Sequence, residues 1–92
     1  MATHPPIVAT EKLTVFDPAD IPTFSVDSSC FSRVGYDAHH ETLLVCFRDS
    51  GAYYCYYDFT QADYDDFIAA DSLGSYYNKY IKGYYECDKL AD

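Results

Sequence analysis

The spacing of apolar residues changes once along this chain, near Thr60, and that change limits the folds available to it. Between residues 30 and 57 apolar and polar side chains alternate, which is the period of a β-strand. After Thr60 the apolar side chains recur at intervals of three and four residues, as in an amphipathic helix. A chain of 92 residues has room for one core. The sequence therefore predicts an α+β fold, with a three- or four-stranded antiparallel sheet followed by two C-terminal helices packed on one face.

Three strands are predicted in the first part of this pattern, at residues 30–36, 42–47 and 52–57. Phe31 is out of phase with Val34, which indicates a β-bulge in the first strand. Polar turns rich in Asp, His, Ser and Gly separate the three segments. The segments are therefore expected to pair as consecutive antiparallel strands.

The third strand is a run of tyrosines interrupted by Cys55. A hairpin loop at residues 49–52 would place Cys46 opposite Cys55. Alternation along the strand assigns its side chains to two faces. One face receives Tyr54 and Tyr56, and the other receives Tyr53, Cys55 and Tyr57.

Two helices are predicted after the sheet. Thr60 is the expected N-cap of the first, with Asp63 in its electropositive first turn. Ser72 starts the second helix, and Gly83 ends it. The side chains expected to face the sheet are Tyr64, Phe67 and Ile68 in the first helix and Leu73, Tyr77, Tyr80, Ile81 and Tyr84 in the second.

Residues 1–25 are interpreted as a proline-containing N-terminal arm, and residues 26–92 as the domain itself. The arm contains all four prolines, which remove backbone donors and interrupt regular structure. Its apolar run at residues 13–16 fits either an edge strand or a loosely packed tail. The N-terminus has no signal-peptide pattern, no segment approaches about 18 consecutive apolar residues, and the four cysteines lack zinc-ligand spacing. We therefore expect a cytoplasmic protein with free thiols and no membrane contact.

Several short segments, in this order, make the chain similar to one known family. They are residues 26–29 (Val-Asp-Ser-Ser), 34–36 (Val-Gly-Tyr), 43–47, 54–56 (Tyr-Cys-Tyr) and 72–85, which begins Ser-Leu-Gly-Ser-Tyr-Tyr-Asn. This pattern resembles the KTSC domain, which occurs at the C-terminus of some lysyl-tRNA synthetases and as small stand-alone bacterial and phage proteins. The resemblance implies the fold, and it implies an RNA- or tRNA-associated accessory role as one functional alternative.

The charge balance favours a basic partner. Fifteen acidic residues against six basic ones give a net charge of −9. Nucleic acids are bound mainly through Lys and Arg, so direct nucleic-acid binding is disfavoured, and a protein with a basic surface is the complementary partner. We therefore expect a non-enzymatic interaction protein. Small phage inhibitors that mimic nucleic acid and block a basic nucleic-acid-binding surface of a partner are proteins of this kind. An oligomerising module, with a second copy as partner, is the other alternative.

The predicted partner-binding residues lie in the part of the chain between Arg48 and Lys79, which contains no other Lys or Arg. Carboxylates there produce a local negative field, and tyrosines can supply buried anchors in an interface. An ordinary solvated acidic helix is the alternative interpretation. The predicted residues are Asp58, Asp63, Asp65, Asp66, Asp71, Tyr53 and Tyr57.

A second, smaller polar site is expected where the first strand meets the last helix, unless the same residues form a structural hydrogen-bond cluster. Its residues are Ser28, Ser29, Asn78 and Lys82. His39 and His40 lie in one short turn, where adjacent side chains diverge, so no metal site is expected. No nucleophile with a base and an oxyanion loop is evident, so neither catalytic residues nor cofactors are predicted.

Overall fold

The computed structural model describes residues 16–90, and within them the fold is α+β, as predicted. Five antiparallel strands pair in sequence order, where the sequence predicts three or four. They are β1 (Phe24–Ser25), β2 (Phe31–Asp37), β3 (Thr42–Phe47), β4 (Tyr53–Tyr56) and β5 (Cys87–Lys89). Two helical segments lie between β4 and β5: α1 (Gln61–Ile68) and α2 (Leu73–Tyr76), which continues as a π-helical turn at Tyr77–Ile81.

The two additional strands are the edges of the sheet. β1 has two residues and β5 three, and all of their side chains are exposed. An exposed strand of this length has no alternation of buried and exposed positions, so its sequence lacks the signal that identifies a strand. Of the apolar run at residues 13–16, only Phe16 lies within the described residues, and it is not part of a strand.

Both helices begin where the sequence predicts. The side chain of Thr60 accepts a hydrogen bond from the backbone N–H of Asp63, and that of Ser72 accepts one from Ser75. These caps satisfy backbone donors that have no partner within the helix. Gly83, with φ of 85°, follows the π-helical turn in the left-handed conformation expected of a terminating glycine.

The main core lies between the helices and one face of the sheet, which we call the covered face. Three phenylalanines that are 0% exposed form its centre: Phe31, Phe59 and Phe67. Phe67 lies edge-on to both of the others, with ring centroids 5.9 Å from Phe31 and 6.5 Å from Phe59. The predicted bulge is confirmed, because the register of β2 shifts between Phe31 and Arg33 and brings Phe31 onto the core side.

The helical stripes are only partly confirmed. Phe67, Tyr77 and Ile81 are buried, but Ile68 is 38% exposed, Tyr80 55% and Tyr84 71%. The π-helical turn accounts for the error in the second helix, because its wider turn aligns residues four apart more closely than residues three apart. Tyr77 and Ile81 therefore both face the core, while Tyr80 is rotated into solvent.

The opposite face of the sheet, the open face, carries a smaller cluster. Its buried residues are Ile21, Leu44 and Cys55. The segment that precedes β1 packs directly over Gly35. A Cβ atom at Gly35 would overlap the carbonyl oxygen of Pro22, so this close packing needs a glycine. The sheet is thus partly covered here by that short segment.

The prediction that Cys46 lies opposite Cys55 was wrong. Cys46 pairs with Tyr53, and Leu44 pairs with Cys55. The cause is the hairpin loop, which spans residues 48–51 because the N–H of Phe47 donates to the carbonyl of Ala52. Starting the loop one residue earlier shifts the pairing by two residues and preserves the predicted assignment of β4 side chains to faces.

Candidate functional site

The predicted acidic residues lie on α1 and in the segments that flank it. Asp65 and Asp66 are exposed on α1, while Asp58 precedes the helix and Asp71 follows it, both also exposed. Among residues 16–90, one pair of acidic and basic side chains lies within 4.0 Å of each other: His40 Nδ1 is 3.3 Å from Asp37 Oδ1. These four aspartates are therefore not neutralised by a neighbouring Lys or Arg of the described chain.

Two arginines are engaged in structural hydrogen bonds elsewhere. Arg33 donates to the side chain and carbonyl of Thr23, at 2.8 and 2.7 Å, and to Ser25. Arg48 donates to three backbone carbonyls, those of Val26, Ser28 and Phe31. Both guanidinium groups fasten the segments around β1 and β2 and do not compensate the charge of α1.

Asp63 differs from the other predicted acidic residues because it is half-buried and structurally bonded. The hydroxyl of Tyr85 donates to its carboxylate at 2.6 Å. Burial, followed by this hydrogen bond, raises the pKa of the Tyr85 phenol. Asp63 therefore connects α1 to the segment that leads into β5.

The structure separates Tyr53 and Tyr57 from the acidic residues of α1. Both tyrosines pack against the open-face cluster, while α1 packs on the covered face. The Tyr57 hydroxyl donates to Asp88 at 2.7 Å and accepts from the Cys55 thiol at 3.1 Å. Tyr53 is half-buried beside an open-face cavity of about 500 Å³ that Ile21, Leu44 and Leu90 also line.

Other tyrosines, from α2 and the segment after it, are the ones that accompany the acidic helix. Tyr76 and Tyr80 pack with ring centroids 4.8 Å apart, and Tyr84 is the most exposed large hydrophobic side chain in the described residues. Burial, and then the charges of Asp66 and Asp63, raise the pKa of Tyr76, which places that ring close to the carboxylates of α1. Sequence analysis assigned Tyr80 and Tyr84 to the core and so missed them as surface residues.

Asp71 adjoins two of these tyrosines, Tyr76 and Tyr80. A shallow cavity of about 260 Å³ is lined by Asp71, Tyr76 and Tyr80, together with Lys79. We call the set formed by Asp66, Asp71, Tyr76, Tyr80 and Tyr84 the acidic-aromatic surface. Lys79 is the basic side chain beside it.

The four residues of the second predicted site line two different cavities. Ser28 and Ser29 border one of about 430 Å³, together with Ile68 and Asp71. The Ser28 hydroxyl accepts the backbone N–H groups of Cys30 and Phe31 at 3.1 and 3.2 Å, which is a structural role at the entry to β2.

Asn78 and Lys82 border another cavity, of about 540 Å³, which we call the tyrosine groove. Tyr56 and Tyr77 also line it; both side chains are buried, and their hydroxyl oxygens are 2.7 Å apart. Burial raises the pKa of both phenols. Sequence analysis placed these tyrosines on the core side but gave no indication that their hydroxyls meet.

Residues 16–90 contain no cluster of three or more His, Cys, Asp or Glu side chains suited to a metal ion. The backbone N–H of His40 donates to Asp37 at 3.0 Å, and this bond is the main cause that lowers the pKa of the Asp37 carboxyl. His40 also stacks on Phe16 with ring centroids 3.8 Å apart.

The four cysteines carry free thiols. Among the helices of the described residues, none has the length and apolar character needed to cross a bilayer.

Comparison with known proteins identifies the family. Residues 27–85 match the KTSC domain. A lysine–tRNA ligase of Nostoc punctiforme is 27% identical over 85 residues, which are 92% of this chain but only 15% of the ligase. A protein of Tsukamurella paurometabola is 37% identical over 57 residues, covering 62% of this chain and 84% of that protein.

A solved structure agrees with this match. The crystal structure of a KTSC domain protein from Yersinia pestis superimposes with a TM-score of 0.73 at 30% identity, covering 77% of this chain and 99% of that one. The family match spans more than half of the chain, and the fold of the solved relative is the same. This chain therefore belongs to the KTSC domain family.

Proposed function

We propose that this KTSC domain is a non-enzymatic binding module whose acidic-aromatic surface docks on a basic surface of a partner protein in the cytoplasm. One observation carries the proposal: carboxylates lie beside solvent-exposed tyrosines. Among residues 16–90, these carboxylates have no Lys or Arg within ion-pair distance. Carboxylates attract and orient a basic partner over distances of about a Debye length, roughly 8 to 10 Å. Tyrosines supply apolar contact area and a hydroxyl at low entropic cost.

A basic surface of this kind is also what nucleic acid contacts, so the domain would compete with nucleic acid for its partner. In this form the proposal describes an inhibitor that mimics a phosphate backbone, as a phage-encoded protein would against a host complex. Its support is the sign and placement of the charges: Asp71 lines a cavity with Tyr76 and Tyr80, the charge of Asp66 acts on Tyr76, and Arg33 and Arg48 are occupied elsewhere.

The alternative is an accessory domain that binds RNA or tRNA directly. One specific observation favours it, namely the similarity to part of a lysine–tRNA ligase. The net negative charge of the chain argues against this alternative, because RNA binding relies on Lys and Arg that release counterions from the phosphates. Three lysines, Lys79, Lys82 and Lys89, are the basic side chains of residues 16–90 outside the arginine networks.

Fluorescence anisotropy with two labelled probes tests the proposal: a decalysine peptide, representing a basic surface, and a single-stranded RNA. We expect the peptide to bind with an affinity that falls as salt increases, and the RNA not to bind. The D66N/D71N variant should bind the peptide about tenfold more weakly, because an exposed ion pair contributes roughly 0.2 to 1 kcal/mol.

The matched control removes two negative charges elsewhere, with D20N and E41Q, both at exposed positions outside the acidic-aromatic surface. It should change peptide affinity much less. Equal weakening in both variants would show that net charge alone attracts the peptide. Salt-sensitive binding of RNA, with no binding of the peptide, would replace the proposal by the RNA-associated alternative.

A further inference from the structure

The tyrosine groove lies apart from the acidic-aromatic surface and has a different chemistry. It opens between α2, the hairpin that joins β3 to β4, and the edge strand β5. Its volume, about 540 Å³, is within the range of roughly 300 to 1,000 Å³ typical of small-molecule sites. Phe47 and Tyr54 form an aromatic wall, with ring centroids 5.4 Å apart and their planes nearly perpendicular.

Two buried tyrosines that line this groove have one more hydroxyl proton than their mutual hydrogen bond uses. Tyr56 is 3% exposed and Tyr77 is 9% exposed, and their hydroxyl oxygens are 2.7 Å apart. A pair of hydroxyls has two protons, and one proton is shared between the two oxygens. Within residues 16–90 neither hydroxyl has a further hydrogen-bond partner. A buried polar group without a partner is costly, so the second proton is met by an acceptor in the groove, which is solvent in the free protein and an acceptor group of a ligand when one is bound.

The other polar side chains of the groove specify that acceptor. Lys82 offers an ammonium group, which only donates, while Asn78 and Ser50 can each donate or accept, so the charge of Lys82 is what favours an anionic acceptor. Asp49 also lines the groove and forms no ion pair with Lys82 within 4.0 Å. Its charge would repel a doubly charged phosphate more strongly than a singly charged carboxylate.

We propose that the tyrosine groove binds a small aromatic carboxylate. Its carboxylate would accept from Lys82, Asn78 and the free proton of the Tyr56–Tyr77 pair, and its ring would lie against Phe47 and Tyr54. Burial raises the pKa of both phenols, so both protons are present at neutral pH. The proposal concerns a site separate from the partner-binding surface and does not depend on it.

Titration of the whole chain with phenylacetate, followed by amide chemical shifts in NMR spectra, tests this proposal. We expect a Kd on the order of 1 mM and shifts centred on residues 77–83 and on β4. Phenethylamine, which has the same ring and a positive charge, should not bind, and inorganic phosphate should bind more weakly than phenylacetate. Absence of binding at about 10 mM phenylacetate, or tighter binding of either control probe, would overturn the proposal.

Two sets of variants locate the contacts. Lys82→Met should weaken phenylacetate binding by up to about fivefold, while Lys79→Met, one turn away and outside the groove, should not. Because a single hydroxyl still has one proton to donate, Tyr77→Phe should retain most of the affinity, whereas the double variant Y56F/Y77F should lose about tenfold. Equal effects of the two lysine variants would show that only general charge attracts the ligand and would contradict the assignment.

Discussion

The two faces of the sheet are built from alternate residues of the same strands, yet they differ in how their side chains are buried. On the covered face, three phenylalanines are fully buried against α1 and α2. On the open face, the buried cluster has three residues and borders a cavity of about 500 Å³. Because hydrophobic stabilisation is proportional to the apolar area removed from water, we infer that the covered face provides most of the stability.

The covered face also explains why a chain of this size can contain eleven tyrosines. Seven of the rings lie in or against the main core, and the hydroxyls of four of them, Tyr36, Tyr56, Tyr77 and Tyr85, form hydrogen bonds. Tyr36 donates to the carbonyl of Phe59, and its ring stacks on Tyr64 with centroids 4.5 Å apart. On the open face, by contrast, Tyr57 bonds to an exposed carboxylate of β5. The same residue type is thus a core component on one face and an edge contact on the other.

The largest expected effect is alkaline unfolding that starts from the covered face. Burial is the main cause that raises the pKa of six tyrosines packed there, namely Tyr36, Tyr56, Tyr64, Tyr76, Tyr77 and Tyr85. A raised pKa means that the folded state holds the proton more tightly. The stabilisation is therefore complete below the ordinary value of 10.0 and is lost as the pH rises from there through the folded values.

We expect cooperative loss of far-UV circular dichroism above about pH 10, coincident with a steep rise in tyrosinate absorbance. If the tyrosines ionised gradually while the circular dichroism persisted, the inferred difference between the two faces would be wrong. In that case the phenols would be solvated in the native state, and the covered face would not be a dry core.

The next largest effect compares one truncation on each face. Phe67→Ala should lower the free energy of unfolding by about 4 kcal/mol, because Phe67 is 0% exposed and contacts three other aromatic rings. Ile21→Ala should cost about 2 kcal/mol, since Ile21 lies beside a cavity that is already open to solvent. Urea unfolding monitored by circular dichroism measures both values.

If the two truncations destabilised the protein equally, the open-face cluster would be as important to folding as the covered face. Where Phe67→Ala fails to fold, Phe67→Leu provides the measurable variant. Its cost should still exceed that of Ile21→Val, which also removes part of a buried side chain.

The sequence predicts the covered face better than the open face, and the reason lies in the patterns. Thr42–Phe47 was predicted with its correct bounds because five consecutive apolar residues follow Thr42 and polar turns lie on both sides of the segment. Thr60 and Ser72 were correctly predicted as caps because their side chains bond backbone groups nearby in sequence. Such local signals are independent of the rest of the fold.

The errors concern features that depend on distant partners or on small shifts of register. The strands Phe24–Ser25 and Cys87–Lys89 exist because a neighbouring strand pairs with them, and nothing in their own composition indicates it. The π-helical turn at Tyr77–Ile81 rotates Tyr80 away from a stripe calculated for an α-helix, and Tyr84 lies beyond Gly83, where the helix has already ended. Consequently the aspartates of the candidate surface were predicted from sequence, but the tyrosines beside them were not.

The smallest effect compares two tyrosine–carboxylate hydrogen bonds, one on each face. Tyr85 donates to half-buried Asp63 at 2.6 Å, and Tyr57 donates to exposed Asp88 at 2.7 Å. Tyr85→Phe should lower the free energy of unfolding by about 1.5 kcal/mol, as expected for a partly buried bond to a charged acceptor. Tyr57→Phe should cost about 0.5 kcal/mol, because solvent competes for the exposed carboxylate of Asp88 and the Cys55 thiol, which also loses its acceptor, is a weak donor. Both substitutions keep the ring, so urea unfolding isolates the hydroxyl; equal costs would indicate that solvent screens the two bonds alike, and the faces would then differ in apolar packing alone.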